Sequence, residues 1–160
     1  MKITLIDGYT KRDDVRALFD EYTAMLIEGD AKFKHYLELQ NYDDELIHLE
    51  HKYGRPYGRL FLAYLDGTLV GCIALKQANE DTGELKRLYV RPAFRGMGIA
   101  DKLTCHLIEE ARTIGYRHIR LDTLPFLKAA IALYQKHGFY EIEPYNENPM
   151  GNSIYMMRDL

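Results

Sequence analysis

The stretch LKRLYVRPAFRGMGIADKL, residues 85 to 103, constrains this chain more than any other. Strand-like alternation, with Leu85, Arg87 and Tyr89 set against Lys86, Leu88 and Val90, runs through Pro92 into Arg95-Gly96-Met97-Gly98. A helical pattern follows at once, with Ile99, Leu103, Leu107, Ala111 and Ile114 at the 3.6-residue repeat and Gly115 as the expected C-cap. HIRLDTL then alternates again as a strand. A strand, a crossover helix and a second strand demand a parallel pair, because the connecting helix must pack back on one face of the sheet. Elsewhere the signals are antiparallel: Asp66-Gly67 joins the apolar runs LFLAYL and LVGCIALKQ as a hairpin, and NEDTG turns the chain into ELKRLYV. The fold class is therefore α/β, a mixed and mostly antiparallel sheet flanked by helices.

The remaining segments fit that frame. MKITLIDGYT reads as a first strand, and Asp13 and Asp14 can cap a helix carrying Val15, Leu18, Phe19, Tyr22, Met25 and Leu26 on one side. Residues 31 to 53 are helical but less regular and end in the loop YGRPYGR. Pro125 is expected to start a second crossover-side helix that carries Ala130, Leu133 and Tyr134 and ends at Gly138, and GFYEI and SIYMMRDL supply two closing strands. No repeat or linker interrupts the order β-α-α-β-β-β-α-β-α-β-β, so residues 1–160 are expected to form one domain.

The bulk numbers exclude several classes. A net charge of −3 and a pI near 6.1 argue against a non-specific nucleic-acid binder. No apolar run approaches the roughly 20 residues of a membrane span, and the N-terminus lacks the pattern of a secretion signal, so a cytoplasmic protein with no membrane partner is expected. Cys72 and Cys105 both lie in apolar segments and read as small core residues, and no histidine or cysteine cluster has metal-ligand spacing. Ile154, Tyr155, Met156 and Met157 could support a homodimer, although core packing explains them equally well.

The strand-to-helix turn carries the chemistry. The first N–H groups of a helix lack intrahelical partners, glycine lets a ligand approach the backbone, and the helix dipole favours an anion. A pyrophosphate would fit at Arg95, Gly96, Met97, Gly98, Ile99 and Ala100, with Arg95 adding charge. The Gly-Lys-Ser/Thr ending of a P-loop is missing, as is the third glycine of the dinucleotide fingerprint.

With its context, the turn resembles the GNAT superfamily of acetyl-CoA-dependent acyltransferases. LYVRPAFRGMGIADKL, ARTIGYRHIRLDTL and AIALYQKHGF follow one another in the family's order and spacing. The family's Q/R-x-x-G-x-G/A signature matches Arg95, Gly98 and Ala100, and its Tyr-x-x-x-Gly-Phe ending matches Tyr134, Gly138 and Phe139. A weaker likeness to small bacterial members extends to the C-terminus. The resemblance implies a sheet whose fourth and fifth strands splay around the cofactor, acetyl-CoA as acetyl-donor cosubstrate with no metal, and a small-molecule amine as acceptor. It implies that the backbone of Leu88, Tyr89 and Val90 faces the pantetheine and acetyl group, that Arg95 to Ala100 wrap the pyrophosphate, and that Tyr134 protonates the departing sulfur. It favours Glu84 as the base, where the residue alone reads equally as a solvated glutamate at a strand start.

Other features remain open. Asp101 and Leu127 depart from the family pattern, the first opposing an anion and the second lacking an amide for the cofactor. Lys86 and Arg87 read as a solvated strand face, and His106 and His118 as ordinary surface or core residues. The acceptor is expected between residues 28 to 58 and the PYNENPMGNSIY segment, with Tyr36, Tyr42, Tyr53, Tyr57, Tyr145 and Asn148 as candidate walls. Glu38, Asp43, Asp44 and Glu45 either attract a cationic amine or form a solvated helix face. A non-catalytic acyl-CoA sensor is the alternative to an enzyme.

Overall fold

A computed structural model describes all 160 residues. Seven strands join one sheet in the order β1-β2-β3-β4-β5-β7-β6, where β1 is Ile3–Asp7, β2 Arg59–Leu65, β3 Thr68–Gln77, β4 Thr82–Val90, β5 His118–Thr123, β6 Tyr140–Ile142 and β7 Ile154–Asp159. Every pairing is antiparallel except β4 with β5. That exception is the parallel pair the crossover demanded.

Two layers of helix cover the sheet. Helix α1, Arg12–Gly29, lies on one face with the short helices α2, Phe33–Leu39, α3, Tyr42–Ile47, and α4, Leu49–Tyr53. The loosely patterned region 31 to 53 thus becomes three short helices. Val15, Leu18, Phe19, Leu49 and Tyr53 pack there against Leu60, Leu62 and Cys72. The crossover helix α5, Ile99–Ile114, sets Ile99, Leu103, Leu107 and Ala111 against Phe61, Ile73, Leu75 and Leu121 on the other face. Full burial of each such aliphatic chain stabilises the fold by about 1.5–3 kcal/mol before conformational entropy is set against it.

Several local expectations are corrected. Asp13 and Asp14 lie inside the first turn of α1 and not at its cap, with Asp14 accepting the Tyr64 hydroxyl at 2.6 Å. Helix α6, Lys128–Lys136, starts three residues after Pro125, because Leu127 N–H closes a turn onto the Leu124 carbonyl first. Cys72 is buried as expected, but Cys105 falls on the outer face of α5 and is exposed. The alternation in β4 breaks at Arg87, which takes the left-handed conformation with φ 60° where the register with β3 shifts. This bulge turns Lys86 and Arg87 to the same face, toward α1 to α4, and sends Leu85, Leu88 and Val90 toward α5.

Candidate active site

The parallel pairing of β4 and β5 lasts three residue pairs, Thr82 with His118, Gly83 with Ile119 and Glu84 with Arg120. Beyond it the strands part, and the gap is lined rather than filled. The N–H of Arg91 donates to the Val70 carbonyl on the β3 side at 2.8 Å. Strand alternation therefore turns the Val90 amide to the opposite edge, which faces the gap.

The gap opens into two cavities. The outer one, about 410 Å³, runs past Leu88, Tyr89 and Val90 to Arg95, Gly96, Gly98, Ile99 and Ala100. That volume lies within the range of ordinary ligand sites. Gly98 is the N-cap of α5 with φ 80°, Gly96 has the same φ, and a Cβ on either would meet no atom within 4 Å. The bare amides of the first helical turn thus face open space, the arrangement an anion needs. No side chain caps them.

The charges at this end are not those the sequence implied. Asp101 accepts Lys136 Nζ at 2.8 Å and His137 Nε2 at 2.9 Å, and these hydrogen bonds hold its carboxyl below the usual range. The acidic residue at the helix start is thus paired with cations and ties α6 to α5. Arg95 folds back, its Nε donating to the Val90 carbonyl at 3.1 Å, with its guanidinium 5.9 Å from the centre of the Tyr89 ring. Met97 stays exposed and is absent from the lining. Lys128, at the start of α6, lines the cavity and was not singled out in the sequence, since only the turn before α6 brings it round. Leu127 lines both cavities as an apolar wall, as its side chain requires.

The inner cavity, about 40 Å³, lies toward α1 and α2 and is bounded by Tyr22, Tyr36, Gln40, Lys86, Arg87, Asp122 and Thr123 among others. It shares Tyr22, Leu88, Leu127 and Tyr134 with the outer one. Tyr134 stands at this junction, and its hydroxyl has no hydrogen-bond partner in the protein. Burial raises its pKa well above the usual tyrosine value, with the charges of Tyr22 and Asp122 adding to the rise, so the phenol stays protonated. Burial also pushes Tyr22 up to about 12.

Glu84 is buried at the closed end of the gap. Arg120 Nε donates to its Oε1 at 3.0 Å, and Lys86 Nζ lies 3.5 Å from its Oε2. Burial raises its carboxyl, but the charges of Lys86, Arg120 and Lys76 outweigh that and leave it below the ordinary carboxylate range. Lys86 and Arg87 are not a solvated strand face: their side chains are 9% and 3% exposed. The bulge is the reason, since it points both inward.

Of the four acidic residues expected near the acceptor, only Glu45 is buried, accepting Arg87 Nε and Nη2 at 2.8 Å each and Lys52 Nζ at 2.9 Å. Burial raises its carboxyl, yet the Arg87 and Lys52 charges prevail and hold it at about 2. Glu38 and Asp43 face solvent. Among the expected walls, Tyr36 lines the inner cavity, whereas Tyr42 and Tyr53 pack in the α1 core and Tyr57 is exposed. Tyr145 packs edge-on to Tyr155 beneath Arg120, and Asn148 donates to the Tyr155 hydroxyl at 2.7 Å, which pins the loop before β7. Asp122 was overlooked: its carboxylate accepts the Tyr36 hydroxyl at 2.7 Å. Alternation within HIRLDTL put it opposite Leu121, but which face held a site was not legible there.

The comparisons with known proteins agree with this geometry. The family model described as "Acetyltransferase (GNAT) family" matches residues 16–139. An uncharacterized N-acetyltransferase of Schizosaccharomyces pombe is 37% identical over 150 residues, covering 92% of this chain and 88% of that protein. The crystal structure of an acetyltransferase from Streptococcus agalactiae superposes with a TM-score of 0.77 over 99% of this chain and 98% of that one, at 21% identity. A GNAT family acetyltransferase from Elizabethkingia anophelis, solved with acetyl-CoA bound, is 25% identical with a TM-score of 0.56, covering 65% of this chain and 77% of that one. A sheet parted after Glu84 and Arg120, with a glycine turn at the head of the crossover helix, is in this chain the framework of the GNAT acetyltransferase family, to which it belongs.

Proposed function

We propose that this protein transfers the acetyl group of acetyl-CoA to the primary amine of a small molecule by direct attack within a ternary complex. The observation that carries this reading is the meeting of two cavities at Tyr134, one ending in an anion-binding turn and the other in a small polar pocket. Acetyl-CoA supplies an activated thioester. The amides at Gly98, Ile99 and Ala100, with Lys128, hold its phosphates, and the free edge of β4 at Leu88 and Val90 aligns its arm. The acceptor nitrogen forms the N–C bond as the C–S bond breaks, the sulfur leaves as a thiolate, and the proton lost by the nitrogen passes to solvent, from which the thiolate regains one.

Tyr134 donates a hydrogen bond to the departing sulfur. A phenol with a raised pKa is a weaker acid than a thiol near about 8.5, so the hydroxyl stabilises the leaving thiolate by a hydrogen bond and need not ionise. Glu84 is held ionised by two cations, so we assign it the task of positioning Lys86 and Arg120 rather than that of the base. The acceptor amine reacts as the neutral fraction at equilibrium.

Release of free thiol from acetyl-CoA in the presence of a panel of amines tests this. Amine-dependent release is the expected result. Tight acetyl-CoA binding with silence across the panel would leave the sensor alternative standing in its place.

A further inference from the structure

The interrupted ladder has a consequence for what the inner cavity receives. Continuing the parallel register past Glu84 and Arg120 by two residues would set Lys86 opposite Asp122, on the same face of the sheet. The splay prevents that pairing. Lys86 instead leans back to share Glu84 with Arg120, and its ammonium makes no hydrogen bond although its side chain is only 9% exposed. Asp122 receives only a neutral hydroxyl, from Tyr36, and has no cation within 4.0 Å. Both residues line the inner cavity.

The surrounding charges sharpen the point. Arg87 is closed off by Glu45 and by Gln40, whose Oε1 accepts at 3.0 Å. Two carboxylates, Glu45 and Glu84, are shared among four cations, Lys52, Lys86, Arg87 and Arg120. Of the charged residues that line the inner cavity, Lys86 and Arg87 are positive and Asp122 negative, so the lining carries one net positive charge. Buried charge is costly unless paired. A ligand with one carboxylate and one neutral amine carries the charge that balances it.

We infer that the acceptor is a small amino carboxylate, its amine hydrogen-bonded to Asp122 and its carboxylate bound by Lys86. This rests on the acetyl-transfer reading above and names its substrate class. The direction follows from the junction: the charge of Asp122 acts on both Tyr22 and Tyr134, which line the two cavities where they meet, so Asp122 is assigned to the thioester end. Size agrees, because about 40 Å³ holds about three water-sized groups, enough for an amine and a carboxylate one or two carbons apart.

The test compares glycine, β-alanine, alanine and aspartate with glycinamide and ethylamine in the thiol-release assay. Glycinamide is the sharper control, since it lacks the carboxylate yet is more fully neutral at the nitrogen. The expected result is a kcat/KM for at least one amino carboxylate about tenfold or more above its carboxyl-free partner, the effect of one charge-assisted contact. Lys86→Met should collapse that ratio toward one, chiefly through KM, and Lys86→Arg should restore part of it; thermal melts confirm that both variants fold. Carboxyl-free amines used as well as or better than amino carboxylates by the native protein would overturn the inference and leave acetyl transfer intact. Silence with every amine, despite bound acetyl-CoA, would overturn the acetyl-transfer reading and this one with it. A ratio unchanged in Lys86→Met would remove Lys86 from the recognition.

Discussion

Tyr134 shows how much of its role comes from placement. Its spacing to Gly138 and Phe139 is visible in the sequence, but among 13 tyrosines nothing local separates a core ring from a functional one. The fold leaves its hydroxyl at the junction of two cavities with no partner, which is the basis of the role proposed above. Tyr134→Phe should therefore lower kcat by about 10- to 100-fold, the loss of one hydrogen bond to a charged group, while acetyl-CoA affinity changes little. Steady-state kinetics beside calorimetry checks this; equal turnover by the variant would remove Tyr134 from the chemistry. Glu84 and Lys86 teach the converse. In the sequence Glu84 read equally as a base or a solvated glutamate at a strand start and Lys86 as a solvated strand face, and only the bulge at Arg87 and the end of pairing at Arg120 turn them into buried neighbours.

At the level of elements, the turn from β4 into α5 was the most legible part of the site. Two glycines before a helical repeat call for a turn with positive φ, and Gly96 and Gly98 both have it, beside open space. Gly98→Trp would force a bulky residue into the left-handed region at about 1–2 kcal/mol and project it where a phosphate would lie. The protein should remain folded, because no protein atom lies within 4 Å of the new Cβ, and acetyl-CoA affinity should fall more than tenfold by calorimetry. Native-like affinity in a folded variant would separate the turn from cofactor binding. Less legible was the start of α6. Proline favours a helix's first turn, so Pro125 looked like the boundary, yet the Leu124–Leu127 turn intervenes and carries Leu127 and Lys128 into the lining of the outer cavity.

Across the whole molecule, the helical cover is fastened to the sheet by a buried charge cluster. Glu45 on α3 binds Arg87 on β4 and Lys52 on α4, joining segments 42 residues apart in the chain. The sign of its pH dependence follows from a folded pKa held at about 2, below the ordinary value near 4.5. Its stabilisation is complete above the ordinary value and is lost as pH falls through that window toward 2. Glu45→Gln should destabilise the protein at neutral pH by about 3–5 kcal/mol, the cost of breaking a buried pair, and should flatten the acid limb between pH 4.5 and 2. Chemical denaturation across pH measures both, and an unchanged acid limb would place the acid sensitivity elsewhere.

The sequence by itself determined the strands, the crossover and the glycine turn, because each is written in local periodicity and in residues whose backbone preferences are strong. It also carried the family, through three blocks in order. Only the tertiary structure decided where β4 and β5 part, that Arg87 sits in a bulge, and that Lys86 and Asp122 face one cavity without pairing with each other. The reason is that pairing across a sheet and burial of charge depend on residues far apart in the chain. Lys86 and Asp122 are 36 positions apart in sequence, and neither carries a mark of the other.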